Sequence, residues 1–205
     1  METVKKCAYM AEMEKEQAER FAADCRGRGE ELDRKMEDAG FLQCRLYMQD
    51  VEERTFLFCY TETVEDGKKI TPCSEWGDKW KEARHVYEFK LHEGDDLTCL
   101  QSKGIIIGVK QELLDEYIRL HDNQPQIIHD LCYQNGFRKS SIYVTELPGG
   151  GLYLLQFVEF LGEENPALYE NDTYQEWLRV TGECQIPLPG EKFWKQMRPV
   201  YEFKR

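Results

Sequence analysis

Positive charge is what this chain lacks most. Its 205 residues carry 27 Lys and Arg against 39 Asp and Glu, a net charge of −12. A DNA- or RNA-binding surface needs a surplus of cations facing phosphates, so nucleic acid is not expected as a partner. The same repulsion argues against an anionic membrane surface, whereas a small neutral ligand meets no such barrier. Long apolar runs are missing too. The longest are a few residues, short of the roughly 20 that a bilayer-spanning helix needs, and the opening METVKKCAYM lacks the apolar core of a signal peptide. The eight Cys include no CxxC pair and no spacing suited to a metal ion. Cys25, Cys44, Cys59 and Cys132 fall in apolar periodic segments, where a thiol behaves as a small hydrophobe. Reduced, buried thiols in a cytoplasmic protein are therefore expected, with a secreted disulfide framework as the alternative. Gly149-Gly150-Gly151 lacks the strand-then-helix setting of a phosphate loop and reads as a hairpin turn.

What is present is a repeat. WKEARHVYEFK, Trp80 to Lys90, returns as WKQMRPVYEFK, Trp194 to Lys204, with the run Val-Tyr-Glu-Phe-Lys intact. The chain reads as one unit written twice, and each copy is a control for the other. In the second copy Ile105 to Val109 suits a strand buried on both faces. From Gln111 to Asn135, residues Leu114, Tyr117, Ile118, His121, Ile128, Leu131 and Cys132 recur at helical spacing, and Gly136 stops the helix. Ser140 to Thr145 and Leu152 to Phe160 form a hairpin around the Leu147–Gly151 turn. Asn165 to Val180 is a second helix, Pro187, Pro189 and Gly190 form a loop, and Pro199 to Phe203 is the last strand. The first copy follows suit. Ala8 to Met13, the helix Lys15 to Ala39, the hairpin strands Leu42 to Met48 and Thr55 to Thr63, and Val86 to Lys90 take the same places. Gly40 lies 96 positions before Gly136, and Glu62 matches Glu159. A polar loop, Val64 to Gly77, replaces the second helix.

The order β-α-β-β-α-β is the ferredoxin-like unit. The expected fold class is α+β: a first, degenerate repeat at 1–92, a linker at 93–103, and a second repeat at 104–205. Open sheets with helices on one side leave the other face bare, and two can bury those faces against each other. A dimeric α+β barrel made from one polypeptide follows, monomeric as a fused pseudo-dimer, with further association open.

Among the four His, His85 and His92 flank a strand and read as ordinary surface or loop residues. His129, with Gln126 and Asp130 beside it, reads as wet. His121 differs. It follows Tyr117 by four residues, so the two side chains share the apolar helix face directed at the sheet. A satisfied core histidine is the plain reading of that pattern. An acid/base group in an enclosed pocket is the functional one, because His titrates near neutral pH. The first copy holds Phe21 and Cys25 at the matching positions, so the polar pair is dispensable for packing. Trp177, on the helix missing from the first copy, could stack on a sugar while its N–H bonds a hydroxyl, or serve as a core aromatic. Trp80 and Trp194 occur in both copies and read as structural.

Gly104 to Phe203 resembles the L-rhamnose mutarotase family. Gly-Ile-Ile-Ile-Gly-Val-Lys with Asp115-Glu116-Tyr117-Ile118-Arg119-Leu120-His121 carries the resemblance. So do Gly136 with Ser141-Ile142-Tyr143, and Gln175-Glu176-Trp177 with Pro199-Val200-Tyr201-Glu202-Phe203. The resemblance implies paired ferredoxin-like units, a catalytic Tyr117–His121 pair, and a sugar site lined by Trp177 and Tyr143. Leu178 stands where the family has a second Trp. Asp122-Asn123-Gln124-Pro125 stands where it usually has Asn-Pro and Trp-Pro. The implied activity is interconversion of aldose anomers by acid/base ring opening, with no cofactor and no metal. The alternatives are a non-catalytic sugar-binding or scaffold protein, a cofactor-free monooxygenase, or a heme-binding relative of the same barrel type.

Overall fold

The computed structural model describes residues 4–51, 53–64, 79–89, 94, 100–148 and 150–205. His92 and most of the Val64–Gly77 loop and of the 93–103 linker lie outside these. The elements begin with β1 (Val4–Met13), α1 (Lys15–Gly27), α2 (Gly29–Asp38), β2 (Phe41–Val51), β3 (Arg54–Val64) and β4 (Lys81–Glu88). They continue with β5 (Leu100–Val109), a 3-10 turn (Gln111–Leu113), α3 (Leu114–Asp122), α4 (Gln126–Gln134), β6 (Phe137–Glu146) and β7 (Leu152–Leu161). Last come α5 (Ala167–Glu170), α6 (Asp172–Gly182), β8 (Gln185–Ile186), β9 (Lys195–Gln196) and β10 (Arg198–Lys204). The fold class is α+β. No described helix is long and apolar enough to cross a membrane.

The chain forms two compact units, and they are not the two halves of the sequence. One comprises Met1–Arg84 with Met197–Arg205, the other His85–Gln196. The first unit has the antiparallel strand order β10-β2-β3-β1-β4. In the second, β6 is flanked by the end of β4 and by β7, then β5 and β8 follow, with β9 also on β5. The repeated segment explains the division. Its start pairs with its own half: Lys81 with Met10 of β1, and Lys195 with Ile106 of β5. Its end pairs with the other half. Tyr201, Glu202 and Phe203 lie opposite Leu46, Arg45 and Cys44 of β2, and the Phe89 N–H donates to the Ser140 carbonyl at 2.7 Å. The runs expected to close their own repeats are exchanged, and each covers a strand edge of the other half that would otherwise expose unpaired backbone groups.

Each long helix read from periodicity is two helices. In the second unit Pro125 interrupts: it lacks an N–H and disfavours helical geometry at Gln124, so α3 ends at Asp122 and α4 starts at Gln126. In the first, the break falls at Arg28, between two glycines, with φ −112° and ψ 18°. Strands also run longer than expected. β5 begins at Leu100, inside the segment read as a linker, because its pairing with β7 continues to Leu161.

In the first unit α1 and α2 place Ala18, Ala22, Cys25, Leu32 and Met36 against alternate strand residues such as Tyr9, Leu46 and Cys59. The other strand face is buried as well, through Met10, Tyr47, Phe58 and Tyr60. The matched residues Glu62 and Glu159 are both buried. Glu62 accepts the Tyr60 hydroxyl at 2.7 Å, and Glu159 lies 3.5 Å from Lys139 Nζ. All six described cysteines are buried, with no disulfide bond among them.

Gly40 and Gly136 both follow a helix with positive φ, 79° and 96°. At Gly136 a Cβ would also sit 3.0 Å from the Leu161 carbonyl oxygen, while nothing lies within 4 Å at Gly40. Left-handed geometry alone costs a side chain about 1–2 kcal/mol. Gly136→Ala is therefore expected to lower the Tm more than Gly40→Ala. Equal shifts in thermal melts would show that contact with Leu161 does not matter.

Candidate functional site

The second unit encloses a cavity of about 960 Å³. It opens among the sheet, α3, α4, α6 and the segment after β8, and it lies between two apolar clusters. One contains Phe89, Phe137, Phe160 and Tyr174, the other Ile107, Tyr117, Ile142 and Leu154. The cavity size suits a small organic ligand, since such pockets run to about 300–1,000 Å³.

α3 positions His121 because Tyr117 and His121, one turn apart, are its two buried residues. The imidazole is 8% exposed. Its Nδ1 lies 3.0 Å from the Tyr117 carbonyl oxygen, an acceptor only, so Nδ1 carries the hydrogen and Nε2 keeps its lone pair. Burial lowers the imidazole pKa to about 4, and the hydrogen bond to the Tyr117 carbonyl opposes that shift without overcoming it. His121 is thus a neutral base of fixed tautomer at physiological pH. Three aromatic rings surround it: Tyr117 at 4.3 Å between centroids, Tyr87 at 4.9 Å and Trp177 at 5.3 Å.

Each ring holds its place differently. Tyr117 is 1% exposed, and its hydroxyl is hydrogen-bonded to Gln185; burial pushes its pKa up. Trp177 lies on α6, whose N-cap Asn171 accepts from the Tyr174 N–H. Tyr87 comes from the end of β4. Its hydroxyl donates to Gln124 Oε1 at 2.7 Å, and burial raises its pKa. Gln124 stands in the break before Pro125, so the interruption of the long helix delivers a polar side chain to the site. Elsewhere on the wall, Lys103 Nζ lies 2.5 Å from Glu164 and 4.9 Å over the Phe160 ring, and the Tyr169 hydroxyl also donates to Glu164.

The structure brings together Tyr117, His121 and Trp177. It does not bring Tyr143 to them. Ser140 and Ile142 line the cavity, so strand alternation turns Tyr143 to the other face of β6. There it is 1% exposed with the His85 ring 5.2 Å away. His129, read as wet, is half-buried and stacks on Phe89 at 4.2 Å. Leu178 joins the apolar packing around Phe137. Sequence reasoning missed Tyr87 and Phe89, which line the cavity. Their segment occurs twice, which marked it as scaffold, and no local pattern says which strand it pairs with. Among the described residues no cluster of three or more His, Cys, Asp or Glu could hold a metal ion.

The first unit holds different groups at the positions that the sequence alignment of the two halves matches to the site. Cys25 occupies the position matched to His121, and burial raises its pKa to about 12. Tyr201, matched to Tyr87, donates its hydroxyl to Asp33 Oδ1 at 2.7 Å. The Cys25 thiol therefore keeps its proton at neutral pH and offers no lone pair like that of the His121 imidazole.

Residues 102–203 match the family model of L-rhamnose mutarotase. No curated protein matches the chain. Solved structures give distant likenesses. A candidate monooxygenase of Fusobacterium nucleatum is 11% identical, with 98% of this chain and 94% of that one covered and a TM-score of 0.49. A candidate monooxygenase of Lactobacillus acidophilus is 9% identical over 97% and 96%, TM-score 0.46. An anthrone oxidase-like protein is 12% identical over 98% and 93%, TM-score 0.43.

Proposed function

We propose that the second half of this chain, which resembles L-rhamnose mutarotase, makes the protein an aldose mutarotase acting on L-rhamnose or a related sugar. The observation that carries the reading is the state of His121. A neutral imidazole with Nδ1 tied to a backbone carbonyl offers Nε2 as a base in a cavity walled by aromatic rings. Mutarotation needs a proton removed from the anomeric hydroxyl and one given to the ring oxygen. The ring then opens to an aldehyde, rotates and recloses. Nothing is oxidised, and no cofactor enters. His121 takes the hydroxyl proton. Tyr117, packed against it, orients the imidazole, and Trp177 stacks on the sugar.

Saturation-transfer NMR across L-rhamnose and other deoxy- and hexose sugars tests the reading, because it measures anomer exchange at equilibrium. Exchange faster than in buffer is expected for at least one sugar. Thermal stabilisation by a sugar without faster exchange would make this a binding site and not an enzyme. A stacking contact of about 1 kcal/mol corresponds to several-fold in affinity. Trp177→Ala should therefore raise the sugar's Kd several-fold; an unchanged Kd by calorimetry would remove Trp177 from the sugar site.

A further inference from the structure

We infer that Tyr87, carried by the closing strand of the first half, supplies the acid to the His121 site of the second. The inference rests on the mutarotase reading and adds to it the group that base catalysis alone leaves out. Ring opening moves two protons, and the tautomer of His121 allows it only one role. Its Nδ1 hydrogen is committed to the Tyr117 carbonyl, so the imidazole accepts at Nε2 and has no proton to give at the start of the step.

Two tyrosines adjoin the imidazole, and their settings differ. The Tyr117 hydroxyl is closed in with the ring, 1% exposed, on Gln185. Both tyrosines and both glutamines line the cavity, but Tyr87 is half-buried where Tyr117 is sealed, and its hydroxyl donates to Gln124 Oε1 at 2.7 Å. Its ring meets His121 edge-on at 4.9 Å. A sugar in the cavity can displace Gln124 as the acceptor of that hydrogen bond, which hands the Tyr87 hydrogen to the ring oxygen. Burial keeps the phenol protonated until needed.

The step balances. Tyr87 gives its hydroxyl proton to the ring oxygen as the bond from that oxygen to the anomeric carbon breaks. His121 Nε2 takes the proton of the anomeric hydroxyl, whose oxygen becomes the aldehyde carbonyl. After rotation, the ring hydroxyl attacks the other face and returns its proton to the tyrosinate, and the imidazolium reprotonates the new anomeric oxygen. The first unit fits the same logic. It has Tyr201 at the matching place, but Cys25 in place of the base and Asp33 as the hydroxyl's acceptor. Tyr87 also lies outside the 102–203 match, so the matched segment alone would hold the base without its acid.

The test uses the full-length chain. Tyr87→Phe keeps the ring and removes the proton. Its exchange rate at saturating sugar should fall about 10²- to 10⁴-fold, the range for one general acid, with sugar affinity by calorimetry unchanged. Replacing Tyr87 with a highly fluorinated tyrosine, whose phenol ionises well below that of tyrosine, should bring into the measurable pH range an alkaline limb that the wild type lacks. A ring that only packs would bring in no such limb, and this variant serves if Tyr87→Phe folds poorly. Wild-type exchange rates in Tyr87→Phe, or no new alkaline limb on fluorination, would overturn this assignment and leave the mutarotase reading standing. A wild-type protein that accelerates exchange of no sugar in the panel would overturn both.

Discussion

His121→Asn is expected to slow anomer exchange by about 10²–10⁴-fold, the contribution of one general base, with the fold intact. Asparagine suits the test because its amide nitrogen reaches the place of Nδ1 and can still donate to the Tyr117 carbonyl, as the imidazole does at 3.0 Å. It removes Nε2, and with it the basic lone pair, and keeps a donor in the place of Nδ1. His121→Ala would confound the loss of the base with a void beneath three aromatic rings. Exchange at saturating sugar, read by saturation-transfer NMR beside a thermal melt, separates chemistry from folding. An unchanged exchange rate in a folded variant would remove His121 from the mechanism.

Acid should destabilise this protein through the same residue. In the folded chain burial lowers the His121 pKa from 6.5 to about 4. Between those values the unfolded chain binds a proton that the folded chain refuses. Stability from this group is therefore whole above pH 6.5. It falls as the pH drops through the window and levels off below about 4, a loss of roughly 3 kcal/mol. Other groups titrate in the same range, so the measurement is a difference. Denaturant unfolding of wild type and His121→Phe from pH 7.5 to 4 should show a steeper decline for the wild type. Parallel curves would mean that His121 is hydrated or protonated in the fold. The rate should follow the same group, with its acid limb near 4 instead of near 6.5, because protonation fills Nε2.

Several features were legible in the sequence itself. The four-residue step from Tyr117 to His121 put both on one helix face, and both are buried on α3. Gly40 and Gly136 marked where the chain leaves a helix for a strand, and both have positive φ. The hairpins fell where turn residues separated β-branched and aromatic runs. These are local properties: periodicity, a missing Cβ and a few neighbouring residues decide them. The helix interruption was written just as locally in Pro125, yet the apolar period ran through it. Periodicity reports which face is buried and is blind to a one-turn break that keeps the same face inward.

Tyr143 and Tyr87 mark where local reading stopped. The identity of Tyr143 as a β-strand aromatic was plain, but its face depends on register, and one residue of register turns a side chain to the opposite side of a sheet. The choice of partner for the Val-Tyr-Glu-Phe run was less accessible still. A strand's hydrogen bonds are the same whichever edge it meets, so the run's sequence says that it pairs and not with what. The amino-acid sequence alone determined the α+β class, the hairpins β2–β3 and β6–β7, and the buried Tyr117–His121 pair on α3. Only the tertiary structure decided that the closing strands are exchanged, with Phe89 bonded to Ser140 and β10 to β2. Long-range backbone pairing made that decision, and it brings Tyr87 of the first half to within 4.9 Å of His121.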